Sequence, residues 1–359
     1  MPRTTVARVD TSAIRHNYRL ACERAGPARA MAVIKADGYG HGISAVAKAL
    51  AEDAPRYAVA CLEEALAVRE AGLSQPVVML QGPHQQDDMA VCARQGFQPV
   101  LHSDYQLEWL RALQTAPAFW LKVNTGMNRL GFPPQDLAAQ VEPLLNAAVT
   151  RSALQGFVTH FSCADDPASP ETAEQTRRLC QATARWPHLE KSVGNSAAHF
   201  LAEQPLFDWS RPGIMLYGSS PVIGRTGPEL GLQAAMTLEA PLIATRTLKA
   251  GDRVGYGGSW VAERDTRMGM VAVGYGDGYP RHAGTDTPAA VRGRRIRLIG
   301  RVSMDMLAVD LSSVPEARDG DTVELWGPQV SVDEVAAHAG TIGYELLTGV
   351  TARVPRLYR

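Results

Sequence analysis

Short apolar or β-branched runs, each bounded by turn residues, recur along the first 220 residues of the chain. They read MAVI at 31–34, YAVA at 57–60, VVML at 77–80, PVL at 99–101, AFWLKV at 118–123, GFVTHF at 156–161, KSVGN at 191–195 and GIMLY at 213–217. Segments of helical spacing lie between them. Ile14, Tyr18, Ala21, Cys22 and Ala25 share one face that Gly26-Pro27 ends, and Glu63 to Ala71 repeats the pattern with Gly72 as its stop. Eight alternating strand–helix units predict a (β/α)₈ barrel in preference to an open doubly wound sheet of five or six strands. The fourth and seventh runs are short enough to read as loops.

From about residue 232 the texture changes. GDRVGYGGSW, RMGMVAVGYGDGYP, AVRGRRIRLIGRVSMDMLAVDL and DTVELWG alternate strand-like runs with Gly-rich turns, and SVDEVAAHAG alone reads as helix. The expected fold class is therefore α/β: an N-terminal (β/α)₈ TIM-type barrel over residues 1–232 with a C-terminal mainly-β domain over 233–359. A chain of 359 residues suits such a pair. No low-complexity linker separates the two, so they are expected to pack closely.

Composition removes several function classes. With 36 basic and 37 acidic residues the chain has no charge-driven pull toward nucleic acid or membrane, and RGRRIR at 292–297 reads as one solvated strand face. MPRTTVARVD alternates where a secretory leader would be apolar, and no run approaches the ~18 apolar residues of a membrane span, so a cytoplasmic protein is expected. Five cysteines without a CxxC pair read as reduced thiols. HExxH, Walker A and GxSxG runs are absent, GYGHG lacks the third glycine of a dinucleotide fingerprint, and the nine histidines show no ligand spacing, so no metal is expected.

Barrel function gathers where strands end, and the residues at or just after the ends of the runs include Lys35, Gln81, His102, Asn124, His160 and Asn195. Lysine is scarce: 31 of the basic residues are Arg and five are Lys, at 35, 48, 122, 191 and 249. Chemistry that needs a primary amine thus has five candidates. Lys35 opens KADGYGHG at the end of the first strand, where an amine beside an apolar mouth can form a Schiff base; the alternative is a surface lysine in a loop. Lys122 lies inside the apolar AFWLKV, so it is paired, neutralised, modified, or pointed outward past a helix. Arg211 precedes Pro212-Gly213-Ile214, and with Asn195-Ser196 it places donors where barrels hold phosphate, which points to a phosphate-bearing cofactor. Four of the ten tyrosines, Tyr39, Tyr217, Tyr256 and Tyr275, precede glycine, an arrangement suited to ligand contact.

AVIKADGYGHG, VACLEEALAVREAG, KVNTGMNRLG, THFS, GNSAA, RPGIMLYG, RVGYGG, GYGDGYPR and GRVSMDM fall in order from end to end, and with them the chain closely resembles bacterial alanine racemases. The resemblance implies a homodimer that shares its active sites, pyridoxal 5'-phosphate as cofactor, and interconversion of L- and D-alanine by two bases. Lys35 matches the lysine that carries the cofactor and serves the D-enantiomer. Tyr256 matches the opposite base, supplied by the partner subunit. His160 and Arg211 match a hydrogen-bond chain to that tyrosine, and Arg211 also matches the arginine facing the pyridine nitrogen. Tyr39, Ser196, Gly213 and Ile214 match phosphate contacts, to which the loop residue Asn195 is added as a cofactor-binding candidate. Arg129 matches an arginine near the cofactor oxygen and the substrate carboxylate, which the backbone N–H of Met304 also meets. Lys122 corresponds to a lysine carbamylated in some members.

Two departures stand out. Ala352 precedes RVPR where some members have a tyrosine nearby, and Ser303 stands where some have cysteine. A decarboxylase of basic amino acids shares the two-domain plan, but such enzymes resemble one another in pairing the pyridine nitrogen with a carboxylate, with which Arg211 disagrees. A non-catalytic cofactor carrier of the same barrel type would lack residues 233–359.

Overall fold

The computed structural model describes residues 4–202 and 205–359. Arg29–Ala30 and Ala32–Val33 act as one strand interrupted at Met31: the first half pairs in parallel with Trp209–Ser210 and the second with Tyr57–Val59. Parallel pairing continues through Val77–Met79, Phe97–Leu101, Phe119–Lys122, Leu154–Val158 and Glu190–Ser192, then returns to Trp209–Ser210. The sheet therefore closes as an eight-stranded barrel. Val77–Met79, Phe97–Leu101 and Phe119–Lys122 are buried on both faces, which is why they read as continuous apolar runs instead of alternating ones.

Seven of the eight apolar runs hold a barrel strand, the fourth and seventh included. GIMLY does not. Ile214–Tyr217 is a buried 3₁₀ helix, and the eighth strand, Trp209–Ser210, lies just ahead of it. The run is apolar because it packs beneath the first helix, where Asn17 donates to Leu216 O, and a short buried run does not reveal its period.

That first helix, Thr11–Ala25, starts at an Asp10 cap that accepts from the Ser12 and Ala13 N–H groups and ends at Gly26 with φ 60°. Ile14, Tyr18, Ala21 and Ala25 are buried on its inner face, as their spacing requires.

In the second half, the strand Met236–Leu248 bends at an irregularity between Leu242 and Ala244. One end pairs with Thr322–Trp326 and the other with Thr266–Val271; Pro288–Val291, Arg294–Leu298 and Leu307–Asp310 complete an antiparallel ring. The alternating start of the chain is also a strand of this sheet: Val6–Val9 pairs with Met236–Leu248 on one side and with Arg356–Tyr358 on the other. The helix Val332–His338 matches SVDEVAAHAG, and a second helix, Gly343–Gly349, follows it.

Asp333, Arg356 and Leu347 are among the residues that tie this half to the barrel mouth. Asp333 accepts from Ser219 Oγ and from the N–H groups of Ser220 and Gly227. Arg356 donates to Gly40 O, and a Cβ on Gly40 would lie 2.2 Å from Leu347 O, so the second helix presses on the loop after Lys35. Among the described residues, no helix is long and apolar enough to cross a membrane, and no group of three or more His, Cys, Asp or Glu is placed to hold a metal ion.

Candidate active site

Lys35 leaves the C-terminal end of the first barrel strand and is half-buried. Burial, with Arg129 and Arg211 nearby, lowers the affinity of its amine for a proton, and Glu64 acts against them. The chain then makes a left-handed turn in which Ala36, Asp37, Gly38 and Tyr39 all have positive φ. This turn aims Tyr39 inward, where its ring stacks on Tyr217 at 4.7 Å between centroids, and Tyr217 is held by its hydroxyl on Val33 O.

Opposite lies a small cradle. The Ser196 hydroxyl accepts from the N–H groups of Gly213 and Met215, so the loops after the seventh and eighth strands meet there. A Cβ on Gly213 would lie 2.5 Å from Tyr39 Oη, which brings Tyr39, Ser196, Gly213 and Ile214 to one place. Asn195 stands beside it, and its side-chain oxygen accepts from the Ala198 N–H and so caps the turn that carries Ser196.

Arg211 is buried beneath the mouth and donates to Ser192 Oγ at 2.7 Å, Thr159 O at 2.6 Å and Val193 O at 3.2 Å. Its Nη2 also lies 3.2 Å from His160 Nδ1. Guanidinium can only donate, so Nδ1 accepts and the ring proton sits on Nε2. Burial and the positive charges of Arg211, Lys122, Arg129 and Lys35 hold His160 neutral, its pKa well below the usual imidazole value. The backbone of His160 is fixed from behind by Gln175, which donates to His160 O and Thr125 Oγ and accepts from Ser162 N–H.

Lys122 is buried at the end of the fifth strand, and burial together with Arg211, Arg129 and Lys35 pushes its amine down to about 7. Arg129 projects from the following loop, where paired hydrogen bonds between Asn124 and Asn128 set the chain path. Four cationic side chains thus converge on one barrel mouth.

Tyr256 and Met304 lie elsewhere. Both belong to the C-terminal half and are exposed, Tyr256 by 73%. Tyr256 is flanked by Gly255, Gly257 and Gly258, all with positive φ, in an open turn beside a pocket of about 230 Å³ lined by Arg253, Arg301 and Met306. Met304 is held by its carbonyl, which accepts from the Gly276 N–H. Among the described residues, no hydrogen bond, ion pair or ring contact joins either one to Lys35.

Sequence reasoning missed Glu64 and Gln175. Both sit on helices outside the barrel and show only the pattern of helix polar positions; their value lies in the loop atoms they reach.

A closed parallel barrel with an amine at the end of strand one, a cradle of N–H and hydroxyl groups between strands seven and eight, and an attached antiparallel domain defines a class of two-domain barrel enzymes. Residues 9–221 match the family described as alanine racemase, N-terminal domain, and residues 235–358 match alanine racemase, C-terminal domain. The chain belongs to the alanine racemase family, whose members are pyridoxal phosphate-dependent isomerases. It is 66% identical over 358 residues to the alanine racemase of Marinobacter nauticus, covering 100% of both chains. The crystal structure of the biosynthetic alanine racemase of Pseudomonas aeruginosa superposes with a TM-score of 0.95 at 47% identity, with 100% of both chains covered. The alanine racemase of Bartonella henselae, solved with covalently bound pyridoxal phosphate, is similar at a TM-score of 0.89 and 30% identity, again over 100% of both chains.

Proposed function

We propose that this protein interconverts L-alanine and D-alanine in the cytoplasm, as a homodimer with pyridoxal 5'-phosphate on Lys35, and so supplies D-alanine for peptidoglycan. The domain of residues 1–232, apart from the strand Val6–Val9 that joins the second sheet, would hold the cofactor, and residues 233–359 would reach the partner subunit's site. The observation that carries this is the pairing, across one mouth, of the half-buried Lys35 amine with the Tyr39–Ser196–Gly213 cradle.

The residues fit the cofactor. Gly213 leaves no room for a side chain under Tyr39 Oη, so the cradle suits a group that approaches the backbone, and its hydroxyl and N–H groups suit a phosphate ester. Pyridoxal phosphate, when bound, would supply an electron sink for the pair left when the substrate α-proton departs.

Lys35 Nζ holds or returns that proton on one face, and its burial keeps a neutral amine available. Tyr256 Oη from the second subunit serves the opposite face; its exposure in a glycine-flanked turn supports contact with another copy. A phenol has a pKa of about 10 and needs assistance as a base. His160, with Nδ1 occupied by Arg211, presents Nε2–H to the tyrosine oxygen and stabilises the phenolate.

Arg211 would offer the pyridine nitrogen a hydrogen bond without surrendering a proton, which would disfavour side reactions that need a stronger electron sink. Asn195 and Ile214 would complete the cofactor contacts, and Arg129 with the N–H of the partner subunit's Met304 would orient the substrate carboxylate. Lys122, as a neutral amine, adds carbon dioxide and releases a proton; the resulting carbamate is an anion beside the Arg129 and Arg211 guanidinium groups and can orient Arg129.

The test is incubation of the loaded protein with L-alanine in deuterated water, following optical rotation and α-proton exchange. Loss of rotation with exchange is expected. Release of carbon dioxide, or no exchange, overturns the proposal.

A further inference from the structure

Ala36, Asp37 and Tyr39, three non-glycine residues, share φ 52° in the single turn that follows Lys35. Side chains disfavour this left-handed conformation, so the turn persists only where outside contacts hold it. Within it, Gly38 N–H bonds Ile34 O, Gly40 N–H bonds Ala36 O and Gly42 N–H bonds Asp37 O. The Ala36 N–H, next to the lysine, bonds outside the turn, to Glu64 Oε1 at 2.7 Å. The other oxygen, Oε2, accepts from Ala60 N–H at 2.7 Å, just past the second barrel strand. Glu64 lies in the first turn of the helix Leu62–Glu70. An acid there ordinarily serves its own helix, whereas both Glu64 oxygens grip N–H groups outside the helix, one of them 28 residues away.

We propose that Glu64 positions Lys35 for proton transfer, holding the left-handed turn that sets the direction of the lysine side chain and standing as the counter-charge to its amine. This rests on Lys35 being the cofactor-bearing lysine. Arg129 and Arg211 act on the amine as like charges and Glu64 as the opposing one; Lys122 and His160 share the same mouth. On its other side the carboxylate acts on Cys61, Tyr39 and Tyr217, none of which is cationic. Removing the carboxylate therefore weakens the lysine as a base, whereas the bonds from Gly213 N–H and Met215 N–H to Ser196 in the cradle do not involve it.

The experiment uses the full chain as wild type, Glu64→Gln, Glu64→Asp and Glu64→Gln with Ala36→Gly. Amide hydrogen exchange reports on residues 35–39, and the pH of half-maximal acetylation of Lys35, read by peptide mass spectrometry before loading, reports on the amine. Glu64→Gln is expected to speed exchange at Ala36 by at least about tenfold, move the acetylation midpoint to lower pH and reduce kcat more than it changes KM. Adding Ala36→Gly relieves the strain and restores part of kcat but leaves the midpoint low, because glycine supplies no charge. Glu64→Asp, too short for both N–H groups, is expected to keep the midpoint and lose the protection, and it tests the clamp even if Glu64→Gln does not fold. Unchanged exchange in the Asp variant, or unchanged exchange and midpoint in Glu64→Gln, overturns the proposal. Borohydride reduction of the loaded wild type locates the cofactor independently: attachment at a residue other than Lys35 defeats the functional proposal, whereas attachment at Lys35 with insensitive variants defeats this one alone.

Discussion

Replacing Lys122 by methionine keeps an unbranched side chain of similar length and removes the amine. Burial and three neighbouring cations bring that amine from 10.5 down to about 7. At about 1.4 kcal/mol per pH unit, the gap corresponds to a penalty of about 5 kcal/mol on the charged form in the folded chain. The sign follows from proton counts. Below about pH 7 the amine is protonated folded or unfolded, and the native state bears the whole penalty. Between about 7 and 10.5 the unfolded chain holds a proton that the folded chain lacks, so stability rises with pH, and above that range the penalty is gone.

Lys122→Met is therefore expected to stabilise the cofactor-free chain by several kcal/mol near neutral pH, and the advantage should shrink by about 1.4 kcal/mol for each unit of rising pH. Urea denaturation of both proteins across this range, at one fixed protein concentration and without dissolved carbon dioxide, measures the difference. Parallel lines of stability against pH would refute the placement of a proton-binding amine in this buried site. Bicarbonate adds a second arm: it should stabilise the wild type, whose neutral amine can be carbamylated, and leave Lys122→Met unchanged.

Gly213→Ala drives a methyl group to 2.5 Å from Tyr39 Oη, and the Tyr39 ring, stacked on Tyr217, has little room to withdraw. Overpacking of about 1–3 kcal/mol should weaken cofactor binding by about ten- to hundredfold in an absorbance titration, and unchanged affinity would show that the cradle is not at this glycine. Tyr256→Phe should nearly abolish turnover and keep the visible absorbance of the bound cofactor. The enantiomers have equal free energy in water, so kcat/KM must fall by the same factor in both directions. Mixed dimers of Tyr256→Phe with Lys35→Ala should regain activity through one intact site; no recovery would mean that the tyrosine acts within its own chain. Gln175→Leu leaves His160 O and Ser162 N–H without their partner and should lower kcat and shift the basic limb of its pH profile, whereas a change confined to thermal stability would make Gln175 a scaffold residue.

The barrel was legible because burial on both strand faces leaves a simple signal, apolar runs separated by amphipathic helices. The signal failed where burial had a different cause. Ile214–Tyr217 is as apolar as a strand because it fills the space under the mouth, while the strand itself shrinks to Trp209–Ser210. Val6–Val9 alternates as a half-buried antiparallel strand should, yet its partners are Met236–Leu248 and Arg356–Tyr358, and local sequence carries no record of pairings that distant.

Site residues divide on similar lines. Lys35, Lys122 and Arg211 stand out in sequence because an amine or guanidinium at the end of a buried strand conflicts with its surroundings, and the conflict marks chemistry. Glu64 and Gln175 conflict with nothing around them in sequence, since polar residues on outer helices are ordinary. Their importance exists only in three dimensions, where each reaches past its helix to backbone groups beside Lys35 and His160. The cationic mouth has the same property. Lys35, Lys122, Arg129 and Arg211 are spread over some 177 positions, and overall charge is almost neutral, so composition cannot disclose that four positive side chains share one opening. Assembling them costs stability in the cofactor-free chain, and under the proposed function that cost would be lowered when anions enter: the phosphate, a carbamate on Lys122 and the substrate carboxylate. The arrangement proposed to bind these groups is thus unfavourable without them, which is why ligand and carbon dioxide should both raise the stability of this fold.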